Sequence, residues 1–157
     1  MEINVLERAD KAKELFKQGY NCSQSVLMAF ADVFNLEPTL AAAFTSGFGG
    51  GIGRMREVCG ACSGMFMVGS LAIPAVDPAD KETKARNYQL MQDMAAEFKQ
   101  ECGSIICREL LGLDKKQETS IPEERNEEYY KKRPCADMVH LAATIVGKRL
   151  NIILKEH

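Results

Sequence analysis

Several function classes are missing from this 157-residue sequence before any motif is considered. There is no charge surplus: 20 basic residues are matched by 22 acidic ones, and no basic stretch is interleaved with aromatic side chains. A nucleic-acid surface relies on both, so none is expected. There is no membrane span either. The longest apolar run, Met65 to Val76, is broken by Gly69, Ser70 and Pro74 and falls short of the ~18–20 residues a bilayer requires. Met1-Glu2-Ile3-Asn4 lacks a basic region followed by an apolar stretch, so no signal peptide is read and a cytoplasmic location is expected. No Cys-x-x-Cys-His occurs, which argues against covalent c-type haem. Strand-like alternation and internal repeats are absent, and no linker divides the chain, so residues 1–157 are read as one domain.

What is present is helical spacing nearly everywhere, which predicts an all-α, compact multi-helix bundle. Val5, Ala9, Ala12, Leu15 and Phe16 share one face, and Gly19 ends that helix. Asn21 caps the next, with Gln24 as its capping-box partner, and Val26, Leu27, Phe30, Val33 and Phe34 form its apolar face. A short helix follows from Thr39 to Ser46. Val58 to Ile73 reads as a buried helix whose Gly60, Ala61, Gly64, Gly69 and Ala72 let another backbone come close. Asp80 to Gln100 is amphipathic, with Tyr88, Met91, Ala95 and Phe98 inward, and Ser104 to Leu111 is a short helix carrying Cys107. The charged stretch from Asp114 to Lys132 is expected to be an exposed connection, with some helix from Pro122 to Tyr130 and a solvated face over Glu118 to Lys132. Pro134 opens the last helix, which buries Met138, Leu141, Ala142 and Ile145.

The six cysteines carry the chemistry. Cys22, Cys59, Cys107 and Cys135 each fall near the start of a predicted helix, where unpaired N–H groups and the helix dipole stabilise a thiolate. In a cytoplasmic chain they point to metal binding or redox work rather than a static disulfide frame. Cys59-x-x-Cys62 lies just behind the loop Gly47-Phe48-Gly49-Gly50-Gly51-Ile52-Gly53. That loop lacks the third glycine of G-x-G-x-x-G in every frame, a preceding strand, and the Lys-Ser/Thr of a P-loop. Gly49, Gly50 and Gly51 are read instead as a tight wrap with left-handed backbone, their N–H groups facing a sulfur or cluster site as candidate cofactor contacts. The helix start, the N–H groups of the glycine loop and the nearby Arg54 and Arg56 are expected to depress the Cys59 thiol, predicted to be the most acidic of the six in metal-free protein. Cys62, one turn on, and Cys102 are equally well read as small buried hydrophobes. Cys102 and Cys107 have the wrong spacing for the second half of a zinc knuckle. His140 does not share a helical face with Cys135 and is read as a surface or packing residue. His157 is terminal and expected to be disordered, and the methionines are read as core.

The ordered segments Gly19-Tyr20-Asn21-Cys22-Ser23-Gln24-Ser25-Val26, Gly47-Phe48-Gly49-Gly50-Gly51, Cys59-Gly60-Ala61-x-x-Gly64, Cys107-Arg108-Glu109-Leu110-Leu111-Gly112 and Cys135 resemble the C-GCAxxG-C-C family. The name of that family marks it as redox-active, with no defined biochemical role. The likeness covers nearly the whole chain and departs at one place: Cys59-Gly60-Ala61 stands where the family name spells Gly-Cys-Ala. The resemblance implies four signature cysteines, Cys22, Cys59, Cys107 and Cys135, with Cys62 and Cys102 outside the signature. A similar domain lies beside haem-binding segments in some cytochromes, which implies electron transfer. Two classes of function follow. In the first, four converging thiolates hold an iron–sulfur cluster for electron transfer. In the second, Cys59 attacks a disulfide and another cysteine resolves the mixed disulfide. Structural zinc is a third reading. The expected partner is a redox protein, and a homo-oligomer is compatible with each class.

Overall fold

The computed structural model describes residues 1–113 and 118–156. Helix α1 (Val5–Lys17) is capped by the Asn4 side chain, and the chain then turns through Gly19 at φ +111°. The predicted capping box opens α2 (Cys22–Phe30): Asn21 accepts from the Gln24 N–H, and the Gln24 side chain accepts from the Asn21 N–H. A 3-10 turn, Ala31–Phe34, extends it to Asn35. Then come α3 (Pro38–Thr45), the single turn α4 (Gly49–Ile52), α5 (Gly60–Ala72) and the long α6 (Lys81–Cys102). The short α7 (Cys107–Leu110) and α8 (Glu127–Lys132) precede the closing α9 (Cys135–Lys155). The class is all-α, as predicted. Among the described residues there is no β-strand, and an isolated antiparallel bridge joins Val58 to Ile106.

Helix α1 packs along α9, α2 along α5, and α5 against α9, while α6 covers α5 and touches α9. Phe16, Phe30, Phe98, Met65, Met94 and Leu150 are the largest fully buried side chains. Each contributes roughly 1.5–3 kcal/mol through removal of apolar surface from water. Small residues set how closely α2 and α5 approach. A Cβ on Gly64 would lie 2.8 Å from the Ser23 carbonyl oxygen, and one on Gly60 would lie 3.2 Å from the Cys22 Cβ. Glycine at these two places thus brings the first turn of α2 against the first turn of α5.

Three expectations need correction. Tyr88 is exposed, and α6 buries Leu90, Met94 and Phe98. Both faces satisfy a three-four spacing, and the packed one is shifted by part of a turn. In α9 the deepest residues are Val139, Ala142, Ala143, Val146 and Leu150, with Met138 and Leu141 on its flank. Helix also starts later than expected in two segments, at Cys107 and at Glu127. His140 makes a surface contact, its Nε2 lying 3.0 Å from Asp10 Oδ1. The expectations for residues 114–117 and His157 fall outside the described residues.

Candidate functional site

Two crossing segments build the site. Residues preceding α5 run beside residues preceding α7, joined by backbone bonds. The Cys59 N–H donates to the Ile105 carbonyl at 2.8 Å, the Cys107 N–H to Glu57 at 2.6 Å, and the Arg108 N–H to Arg56 at 3.2 Å. This pairing seats Cys59 as the N-cap of α5 and Cys107 as the first residue of α7. Cys22 and Cys135 are likewise the first residues of α2 and α9. All four signature cysteines therefore stand at helix starts, as the sequence predicted.

The glycine loop folds back under them. Gly50, Gly51, Ile52, Gly53 and Arg54 are consecutively left-handed, with φ between +58° and +68°. Such backbone costs a residue with a side chain roughly 1–2 kcal/mol, and a β-branched one has least tolerance for it. The loop closes through the Arg56 N–H to the Gly50 carbonyl (3.2 Å) and the Glu57 N–H to the Gly51 carbonyl (2.9 Å). Space is as decisive as conformation at Gly51: a Cβ there would lie 2.6 Å from the Cys107 Cβ and 2.7 Å from the Arg56 Cα. The predicted left-handed backbone is thus present at Gly50 and Gly51. At Gly49 the constraint is crowding, since a Cβ would meet the Asn21 Cβ at 2.5 Å.

A cavity of about 60 Å³ lies where these pieces meet. Cys22, Cys59, Cys107 and Cys135 all line it, with Gly50, Gly51, Arg56, Arg125 and Tyr129. All six cysteines are free thiols. Four of them influence one another in pairs at this end of the molecule, Cys22 with Cys135 and Cys59 with Cys62. The neighbouring Cys62 thiol holds Cys59 below its ordinary value, with help from the N–H groups of Cys62 and Ala61 and against the cost of burial; Cys62 is pushed up in return. The neighbouring Cys22 thiol likewise lowers Cys135, aided by Arg133, Arg56 and Arg125, and Cys22 is raised. Burial pushes the Cys107 thiol up, although Arg56 Nη1, 3.6 Å from its Sγ, pulls in the other direction. Cys102, at the end of α6, is raised by burial and lines neither this cavity nor its mouth.

Cys59 is depressed as expected and the helix start contributes as expected, but the two arginines do not. Arg54 turns to Glu118 (2.8 Å) and Glu123 (3.5 Å), and Arg56 to Glu118 (2.8 Å) and Cys107. Its acidity comes from a neighbouring thiol and the start of α5. Cys62, ambiguous in the sequence, is therefore an electrostatic partner of Cys59 as well as a core residue.

The stretch from Glu118 to Lys132 is more than a solvated face. Glu118 ties down both arginines of the loop. Arg125 donates to the carbonyls of Phe16 (2.7 Å) and Tyr20 (3.0 Å), and its guanidinium lies 4.3 Å above the Phe16 ring. Burial, with the nearby Cys135 sulfur adding to it, pushes the Tyr129 phenol up to about 12, so it keeps its proton at neutral pH. Above the cysteines opens a wider vestibule of about 320 Å³, lined by Arg54, Arg56, Arg125, Arg133, Glu123 and Cys135 among others. Arg125, Tyr129 and Arg133 recur at intervals of four. Only Tyr129 of the three lies within α8, so no helical periodicity in the sequence marks this wall.

A family model described as "Putative redox-active protein (C_GCAxxG_C_C)" matches residues 20–149, a span that holds all six cysteines. The chain belongs to the C_GCAxxG_C_C family. Neither the curated proteins nor the solved structures searched contain a match. Among the described residues no helix of this family member is long and apolar enough to cross a membrane.

Proposed function

We propose that this C_GCAxxG_C_C protein is a thiol–disulfide redox protein in which Cys22–Cys135 and Cys59–Cys62 are the working dithiols. Placement supports this most directly: Cys22 and Cys135 line one cavity, Cys62 stands one helical turn after Cys59, and in each pair one thiol is lowered while its neighbour is raised. Exchange needs those two roles, a thiolate that attacks and a protonated partner that later displaces the leaving sulfur. Cys59 keeps the attacking role in the inner pair, at the N-cap of α5, with Cys62 resolving. Cys135 takes it in the outer pair, beside three arginines, with Cys22 resolving. Arg56 and Tyr129 wall the cavity that Cys22, Cys135 and Cys59 line. A reducing cytoplasm and a redox partner suit such a protein.

One observation favours a second reading. Four cysteines around one cavity match the donor set of an iron–sulfur cluster. Cys22, Cys59, Cys107 and Cys135 would hold it, with Gly50 and Gly51 as its floor and Gly49 outside the cavity lining, and the cluster would supply one-electron transfer. Among the described residues no group of three or more His, Cys, Asp or Glu side chains is placed to hold a metal ion, which supports neither a zinc site nor a ready-made cluster site. Anaerobic purification followed by visible spectroscopy, metal analysis and disulfide mapping separates the readings. The dithiol reading expects a colourless protein, iron far below stoichiometric, and mild oxidation linking Cys22 to Cys135 and Cys59 to Cys62. A brown protein with stoichiometric iron that loses its colour when Cys107 is replaced overturns it.

A further inference from the structure

We infer that the arginine-lined vestibule is a binding site for a low-mass disulfide bearing carboxylates, presented there to Cys135. The inference rests on the dithiol reading above and names its substrate class. Its basis is the juxtaposition of three features. The first is size: at about 320 Å³ the vestibule falls at the small end of the range for small-molecule sites. The second is charge. The guanidiniums of Arg54, Arg56, Arg125 and Arg133 gather around it, and the carboxylates paired with them are those of Glu118 and Glu123. Arg125 donates to main-chain carbonyls and forms no ion pair with a carboxylate among the described residues. The two glutamates show what these guanidiniums recognise, because Arg54 and Arg56 already bind carboxylate oxygens at 2.8 Å. The third feature is position. Cys135 belongs to the lining of both the vestibule and the inner cavity, and so do Arg56, Arg125 and Tyr129. A sulfur compound held by its carboxylates meets that sulfur, with Cys22 behind it in the lining of the inner cavity.

The reaction is a two-electron exchange. The Cys135 thiolate attacks one sulfur of the bound disulfide; a Cys135–substrate S–S bond forms, the substrate S–S bond breaks, and the first half leaves as a thiolate. Cys22 then attacks the Cys135 sulfur. Its proton passes to the second departing half, and the Cys22–Cys135 disulfide closes. Two electrons have moved from the cysteine pair to the substrate, which leaves as two carboxylate-bearing thiols. The reverse sequence would oxidise such thiols.

The test uses the whole protein, fully reduced and kept anaerobic, and follows thiol loss with three disulfides of similar size. Dithiodiglycolate carries two carboxylates, bis-hydroxyethyl disulfide is neutral, and cystamine carries two ammonium groups. Charge focusing in a lined cleft raises encounter rates on the order of tenfold or more, so dithiodiglycolate should lead the neutral compound by about tenfold and cystamine should be slowest. Added salt should shrink that lead. Replacing Arg125→Gln should cut the anionic-to-neutral rate ratio by roughly tenfold, and Arg125→Lys should restore most of it. Arg125 also anchors two main-chain carbonyls, so the charge series on the unaltered protein decides. Equal rates, or the reverse order, with Cys22–Cys135 still formed by the neutral disulfide, overturn the vestibule assignment and leave the dithiol reading standing. Failure of all three compounds to oxidise the pair overturns the dithiol reading itself.

Discussion

In the body of the bundle, Phe30, Met65, Val68 and Val146 are fully buried among apolar neighbours. Within about three turns along the same helices, at the cysteine end, the residues from Gly50 to Arg54 are left-handed, guanidiniums crowd one wall, and the buried atoms of interest are sulfur. The body largely follows local preference: apolar faces at helical spacing, small residues where backbones meet, and the Asn4 cap where α1 begins. The end breaks local preference repeatedly, most plainly with Ile52 and Arg54 at positive φ. Backbone strain persists only where surrounding structure over-determines it, and it concentrates at functional sites. The body thus supplies the stability that holds the end in a conformation it would not choose alone.

The sharpest way to break this division is to damage the body. Phe30→Ala should cost about 3–5 kcal/mol in urea unfolding, because it deletes a fully buried ring. The thiol chemistry per folded molecule should be unchanged. If the folded fraction of this variant also loses the Cys22–Cys135 exchange, body and end are not separable.

The end itself can be divided into crowding and strain. Gly51 and Gly53 are both left-handed, at φ +68° and +58°, but only Gly51 is surrounded; around a Cβ at Gly53 nothing lies within 4 Å. Gly53→Ala should cost about 1 kcal/mol, the conformational penalty alone. Gly51→Ala should cost roughly 2–3 kcal/mol and shift the environment of Cys107. Equal losses for the two, measured by denaturant midpoints, would mean that contact between loop and cysteine contributes nothing.

These two regions were unequally legible in the sequence. Periodicity, the Asn21–Gln24 box and the glycines of α5 are local signals, and they placed the body correctly. Cysteines at helix starts could also be read locally. What could not be read is which thiol meets which. Cys59 finds Cys62 one turn away, but Cys22 finds Cys135 only because α2 and α9 both begin at the same end of the bundle. Arg54 and Arg56 were assigned to their nearest cysteine in sequence, yet carboxylates arriving from a distant, heavily charged stretch claimed them first. Tyr88 was lost to an ambiguity of helical phase that only packing resolves.

The two thiol pairs give a smaller but direct comparison. Cys59 and Cys135 are lowered and Cys62 and Cys22 raised, so alkylation of the first two should reach half-maximum at lower pH than that of their partners. The midpoint, read by mass spectrometry at each site in metal-free protein, matters more than the absolute rate, which burial slows. A Cys59 midpoint at or above the ordinary thiol value of ~8.5 would contradict the pairing.

The smallest expected effect concerns the carboxylate that joins the loop to its cover. Burial opposes ionisation of Glu118, but Arg56, Arg54 and Arg133 together outweigh it and hold its carboxyl below the usual range. A carboxyl whose folded value is depressed adds stability that is fully present above its unfolded value, ~4.3, and is lost as pH falls through the folded one. Glu118→Gln should therefore lower stability by about 0.5–1 kcal/mol at pH ~6, a modest amount because the pair is partly solvated. The gap to the unaltered protein should close as the pH is taken below ~4. Phe30→Ala offers the control, since a missing ring in the body has no proton to bind and its deficit should not depend on pH in this way. A gap for Glu118→Gln that is equally wide at pH ~6 and ~3.5 would mean that the glutamate holds the loop by shape alone, and that charge is not what fastens the cysteine end to the rest of the molecule.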